Sequence, residues 1–303
     1  MNLNGVHLPV TTPFRPSDGQ FDSDGFASNL KTWSEVSIAG VLVGGSTGES
    51  VLLEPSEFVA AVRVARETLP DDRIVIAGAG RQSTRATIQV CAEAAAAGAD
   101  AVLVLPPSYF RTQMTAEALR LHFWEVADAS PVPVLLYHVP KFVPIDLTPE
   151  LVGELIRHGN IVGIKDSSGD TQNLGALCAV CGDRATVLVG AGTHLYAGLE
   201  IGARGGIIAV GVLAPAESAD LYAAFVAGRT SEAGRLQERI GPLHRAIVAG
   251  TGVPGIKYAL DRLGMVGGLP RPPLLPPNDH TRGTIQDALI HAGLPIDGPA
   301  VRN

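Results

Sequence analysis

The chain has 303 residues, 46% hydrophobic and 17% charged, with 35 glycines and 22 prolines; this composition excludes disorder and low complexity and allows a sizeable core. Its formal charge is −7 with no run of Lys or Arg, which excludes a nucleic-acid or anionic-membrane binder and leaves a small molecule as the expected ligand. No apolar segment approaches the roughly 20 residues that span a bilayer, the opening Met1-Asn2-Leu3-Asn4-Gly5 lacks the layout of a secretory signal, and three cysteines fit a reducing compartment, so a cytoplasmic protein is expected.

In chain order, short runs rich in Val, Ile and Leu each lead into a stretch with helical spacing, the pattern of repeated βα units and a parallel sheet. The spacing predicts strands over 6–12, 40–44, 73–78, 101–105, 132–138, 161–165, 186–190 and 206–210. Several are almost wholly apolar, as strands buried on both faces must be. Helix starts are marked by Glu54-Pro55-Ser56-Glu57, by Thr115-Ala116-Glu117 and by Leu147-Thr148-Pro149-Glu150. Eight such units predict an α/β fold, a (β/α)₈ TIM barrel over residues 1–228, with a C-terminal helical extension over 229–303. Within the extension, helix is expected over 230–263 with a break near 250–255, then a Pro-rich segment at 270–277 and a last helix over 282–292.

Barrels of this kind do their chemistry at the C-terminal ends of the strands. There the second strand ends in Gly44-Gly45-Ser46-Thr47-Gly48-Glu49, the fourth in Pro107-Ser108-Tyr109, the fifth in Tyr137-His138-Val139-Pro140 and the sixth in Ile164-Lys165-Asp166. Lys165 is one of only four lysines and continues an apolar run. Desolvation there favours the free amine that Schiff-base chemistry needs, although a strand-terminal lysine can also simply reach for solvent. Tyr137, at the end of the neighbouring strand, is within reach of the same pocket as a proton shuttle, or else packs as an ordinary tyrosine. The Gly-rich loop offers hydroxyls and backbone amides to a carboxylate, or is a plain strand-to-helix turn; it has neither Walker nor Rossmann spacing. Cys178 and Cys181 form a lone Cys-x-x-Cys with no second pair, and the eight histidines contain no His-Glu-x-x-His set, so no metal is expected.

Taken together, Gly45-Ser46-Thr47-Gly48-Glu49, Tyr137-x-Val139-Pro140 and Gly163-Ile164-Lys165-Asp166 resemble the dihydrodipicolinate synthase and N-acetylneuraminate lyase superfamily. The likeness continues to Pro254-Gly255-Ile256-Lys257 and Gly267-Gly268-Leu269-Pro270 and so covers nearly all the chain. It implies a lyase in which Lys165 forms an imine with pyruvate or another short 2-oxo acid, Tyr137 relays protons, and Gly45, Ser46 and Thr47 help to hold the carboxylate. It further implies that Tyr109 crosses a dimer interface to complete a Ser46, Tyr137 and Tyr109 hydroxyl relay, and that Gly190 and Ile208 line the pocket. No cofactor beyond the covalent imine on Lys165 is implied, and the assembly expected is a homotetramer, a dimer of dimers.

The second substrate is read from departures. Synthases of the lysine pathway usually carry an Arg two residues after the Tyr-x-Val-Pro motif to hold aspartate semialdehyde, whereas this chain has Lys141 and Phe142. An ammonium lacks the planar fork of a guanidinium. Sugar-acid lyases tend to carry polar groups after strand seven, where this chain has Gly190-Ala191-Gly192-Thr193. The small residues there, with the Lys165-Asp166-Ser167-Ser168-Gly169-Asp170 run, look closest to 4-hydroxy-2-oxoglutarate aldolases, so cleavage to pyruvate and glyoxylate is the expected reaction. The alternatives are 4-hydroxy-tetrahydrodipicolinate synthase, another 2-keto-3-deoxy sugar-acid aldolase, a hydratase or deaminase acting on a 2-oxo acid, a metal-dependent barrel aldolase, and a catalytically silent barrel that only binds a 2-oxo acid.

Overall fold

The computed structural model describes residues 1–296. Its strands are β1 Gly5–Pro9, β2 Gly40–Val43, β3 Ile74–Gly78, β4 Ala101–Val104, β5 Val134–His138, β6 Ile161–Asp166, β7 Thr186–Val189 and β8 Gly205–Ile207. Each pairs in parallel with the next, and β8 pairs with β1, closing a barrel in sequence order. Between the strands run α1 Ser23–Ser34, α2 Pro55–Thr68, α3 Thr84–Ala96, α4 Ala116–Ala129, α5 Pro149–Leu155, α6 Thr171–Cys181 and α7 Leu195–Ile201, with α8 Pro215–Val226 after β8. This is the expected (β/α)₈ barrel.

Local chemistry explains the helix starts. Thr115 and Thr148 accept from the backbone amides of Ala118 and Leu151 at 3.2 and 3.3 Å, and Pro55 and Pro149 occupy first-turn positions where no amide bond is lost. In α2 the Glu57 carboxylate accepts the Glu54 amide at 2.9 Å. Buried faces follow helical spacing: in α1, Phe26, Leu30 and Trp33 point inward, and the Trp33 indole donates to the Val212 carbonyl at 3.1 Å.

The strand ends depart from expectation by more than one residue in three places. The first strand leaves the ladder after Pro9, Val10 adding a last amide bond to Leu42 at 3.1 Å. The fifth begins at Val134, because Pro133 has no amide to donate. The eighth stops at Ile207, and Ala209–Val212 winds into a 3₁₀ turn. The sixth strand, by contrast, runs one residue further, to Asp166, which pairs with His138.

Beyond α8 come α9 Thr230–Leu243, a wide π-helical turn His244–Ala249, α10 Gly250–Arg262 and α11 Asp279–His291. The expected break is present at Gly252, whose φ of 65° and ψ of −153° interrupt α10. Residues 297–303 of the expected extension lie outside the described residues. Among the described residues, no helix is long and apolar enough to cross a membrane.

Candidate active site

The register of β5 against β6 sets Tyr137 opposite Lys165 and His138 opposite Asp166. Because successive strand residues alternate faces, these two pairs lie on opposite sides of the sheet. On one side the Tyr137 hydroxyl is close enough to the side chains of Lys165, Ser46 and Ser167 for each to act on its phenol, and the Lys165 amine lies 4.4 Å from the Tyr137 ring centroid. Both side chains are 5% exposed. Burial alone would raise the Tyr137 phenol; the charge of Lys165 and the hydrogen bonds from Ser46, Ser167 and Lys165 outweigh it and bring the phenol below its ordinary value.

On the opposite side His138 Nδ1 and Asp166 Oδ1 are 2.6 Å apart, and Asp166 Oδ2 accepts from the Ser168 hydroxyl at 2.7 Å. His138 Nε2 lies 3.2 Å from the exposed Asp146 carboxylate. His138, Asp146 and Ser168 border a cleft of about 390 Å³ that Arg111, Pro140 and Asn173 also line. The pair ties the ends of the two strands that carry Tyr137 and Lys165.

Gly45 and Ser46 line a small cavity together with Gly44, Gly78, Leu103 and Tyr137. Glycine is required at its base: Gly44 has φ +64°, and a Cβ at Gly78 would lie 2.1 Å from the Gly44 carbonyl oxygen. The amides of Gly48, Glu49 and Ser50 turn back onto the carbonyls of Gly45 and Ser46, whereas the amides of Ser46 and Thr47 donate to no protein acceptor among the described residues. Two free amides beside two hydroxyls can hold a carboxylate.

Of the remaining expected residues, Ile208 is fully buried just after β8, and Gly190, just after β7, donates its amide to the Asp166 carbonyl at 2.6 Å. Tyr109 stands apart. It is 81% exposed, its ring edge against Phe110, and among the described residues only its backbone is anchored, by Gln82 at 2.9 Å. Lys141 lies 3.5 Å from the Ala249 carbonyl and Phe142 is 62% exposed. No guanidinium stands at either position.

Three features were missed in reading the sequence. Ser167 shares the face of Lys165 by simple alternation, which is the signal that would have found it. The His138–Asp166 pair needed the strand register. The buried Lys257–Glu49 ion pair joins residues 208 apart, at 2.7 Å, and no local pattern announces it. Cys178 and Cys181 are free thiols on α6, and among the described residues no group of three or more His, Cys, Asp or Glu side chains is arranged to hold a metal.

With this geometry, residues 2–292 match the model of the dihydrodipicolinate synthetase family. The chain is 35% identical to the 4-hydroxy-tetrahydrodipicolinate synthase of Methanothrix thermoacetophila, across 95% of this chain and 96% of that one. It is also 35% identical to the synthase of Mesorhizobium japonicum, across 96% and 99%. Among solved structures, the chloride-inhibited dihydrodipicolinate synthase of Acinetobacter baumannii, complexed with pyruvate, superposes with a TM-score of 0.92 at 28% identity, covering 97% of this chain and 100% of that one. YagE, an E. coli prophage protein of the dihydrodipicolinic acid synthase family in complex with pyruvate, superposes at 0.91 with 30% identity over 97% and 100%.

These relatives correct the expectation of a 4-hydroxy-2-oxoglutarate aldolase, since the similar proteins carry the synthase name. The small residues after β7, which prompted that expectation, have a packing cause. A Cβ at Gly190 would lie 1.9 Å from Ser167 Oγ, and one at Gly192 would lie 2.8 Å from His244 Nδ1.

Proposed function

This chain belongs to the dihydrodipicolinate synthetase family and is an enzyme of its Schiff-base lyase and synthase class, and we propose that it condenses pyruvate with an aldehyde as 4-hydroxy-tetrahydrodipicolinate synthase does, aspartate semialdehyde being the first candidate. The observation that carries the reading is the cluster of buried Lys165 and Tyr137 with half-buried Ser46 and Ser167, beside a loop with free amides.

In this reading the pyruvate carboxylate rests on the amides and hydroxyls of Ser46 and Thr47, next to Gly45, with Gly190 and Ile208 flanking the keto carbon. The Lys165 amine adds to that carbon, Tyr137 passes a proton to the carbinolamine oxygen, and water leaves to form the imine. Loss of a proton from the methyl carbon gives an enamine, whose carbon attacks the aldehyde and whose new alkoxide is protonated through the Tyr137 hydroxyl. With aspartate semialdehyde, the substrate amine then adds to the imine carbon and displaces Lys165, closing the ring and restoring the enzyme. No metal or organic cofactor takes part.

Tyr109 belongs to the relay of a neighbouring copy in this proposal. Its exposure, with that of Phe110 and Val51 on the same rim, supports a face that a second copy covers, and a homotetramer built as a dimer of dimers is the assembly we infer.

Phe142 at the position of the expected guanidinium removes one synthase contact, and the second reading is cleavage of a 2-keto-3-deoxy sugar acid on the same imine. Incubation with pyruvate, reduction with borohydride and peptide mass mapping tests the shared step: an adduct on Lys165 is expected, and its absence from folded protein overturns both readings. Turnover with aspartate semialdehyde and pyruvate, against retro-aldol release of pyruvate from 2-keto-3-deoxy sugar acids, then separates them.

A further inference from the structure

We infer that Glu49 and Lys257 are positioning residues that hold the carboxylate loop in its binding geometry, so that the C-terminal extension sets the affinity for the 2-oxo acid. The inference rests on the proposed seating of pyruvate on Ser46 and Thr47.

Glu49 is the last residue of that loop and takes a left-handed backbone, φ 59° and ψ 34°, which a side chain with a Cβ adopts only when its surroundings enforce it. Its amide closes the turn onto the Ser46 carbonyl at 3.2 Å. The Glu49 carboxylate is wholly buried: Oε1 accepts from the Lys257 amine at 2.7 Å, and Oε2 accepts from the Arg271 backbone amide at 2.8 Å. Lys257, itself fully buried on α10, also donates to the Thr12 carbonyl at 2.8 Å. The Thr12 hydroxyl in turn donates to the Gly48 carbonyl at 2.8 Å. One ammonium thus holds together the last two residues of the loop and the chain leaving β1.

Any shift of Glu49 would turn the Ser46 and Thr47 amides, because the 45–49 turn is closed by its own hydrogen bonds. A buried ion pair contributes little net stability compared with apolar residues of the same shape, so its worth here lies in geometry. Arg271 provides the contrast. Its guanidinium pairs with Glu57 on α2 and with the Gly19 and Leu52 carbonyls, while only its backbone touches Glu49. Removing that side chain loosens the same extension and leaves the Glu49 contacts in place.

The test uses the full chain and measures the pyruvate concentration that half-saturates borohydride trapping on Lys165, with the trapping yield at saturation and the melting temperature. Glu49→Gln, and the double variant Glu49→Gln with Lys257→Gln that leaves no unpaired charge, are expected to raise half-saturation by about tenfold or more with saturating yield within about twofold of wild type. Arg271→Gln is expected to lower the melting temperature with half-saturation within about twofold of wild type. Should Glu49→Gln fail to fold, the double variant and Glu49→Asp, which keeps the charge on a shorter arm, decide the comparison. Unmoved half-saturation in the Glu49 variants, or an equal rise in Arg271→Gln, overturns the positioning role while the wild-type adduct stands. Absence of the wild-type adduct overturns the imine reading itself.

Discussion

The Tyr137 hydroxyl has side-chain partners on three sides, Lys165, Ser46 and Ser167, so a proton taken from substrate can be passed on without solvent. Lys165→Ala removes the only group in this cluster that can form an imine; turnover is expected to vanish and circular dichroism to stay unchanged. Tyr137→Phe keeps the ring packed against the amine and loses only the relay. A fall in kcat of about a hundredfold is expected, with KM for pyruvate changing much less, as steady-state kinetics would show. Lys165 was legible in the sequence because a scarce charged residue extends an apolar run. Tyr137 was legible because it ends the neighbouring one. Ser167 was legible only by counting alternate residues, and the partners of Glu49 not at all.

Strand ends are where elements become a site. His138 and Asp166 close the β5–β6 ladder on the face away from the chemistry, and the Gly190 amide, after β7, bonds the Asp166 carbonyl at 2.6 Å. Gly190→Ala would drive a methyl group into Ser167 Oγ and to within 2.9 Å of the Asp166 carbonyl oxygen. Urea denaturation is expected to show a loss of about 1–3 kcal/mol. Turnover is expected to fall as well, since Ser167 would be pushed from Tyr137; unchanged kinetics would detach Ser167 from the relay. The strands themselves were readable as apolar runs bounded by Gly and Pro. Their last residues were not, because ladder bonds to a neighbour end a strand: β1 gives way after Pro9, and β8 yields to a 3₁₀ turn where the apolar run still continues through Ile208 and Val210.

Across the whole molecule, burial holds three histidines, His7, His122 and His244, at pKa values of about 4 against an ordinary 6.5. Below pH 6.5 the unfolded chain takes up protons that the folded chain refuses, so stability is lost as pH falls towards 4. At pH 5 the loss is about 2 kcal/mol for each histidine. Denaturation midpoints at pH 7 and pH 5 are expected to show it, with His122→Asn, whose amide can still meet the Thr84 hydroxyl, falling less steeply. By itself the sequence determined the barrel and the helices beyond it, and it singled out Lys165 and Tyr137 as the candidate imine-forming and proton-relaying residues, because each is written in local periodicity or in a residue out of character with its run. The tertiary structure alone decided which partners surround them. Lys257 meets Glu49 only when α10 packs against the closed barrel, and His138 meets Asp166 only in the register that closure imposes. The second substrate was misread from small residues after β7, because a missing side chain reads alike whether it makes room for a ligand or for a neighbouring serine.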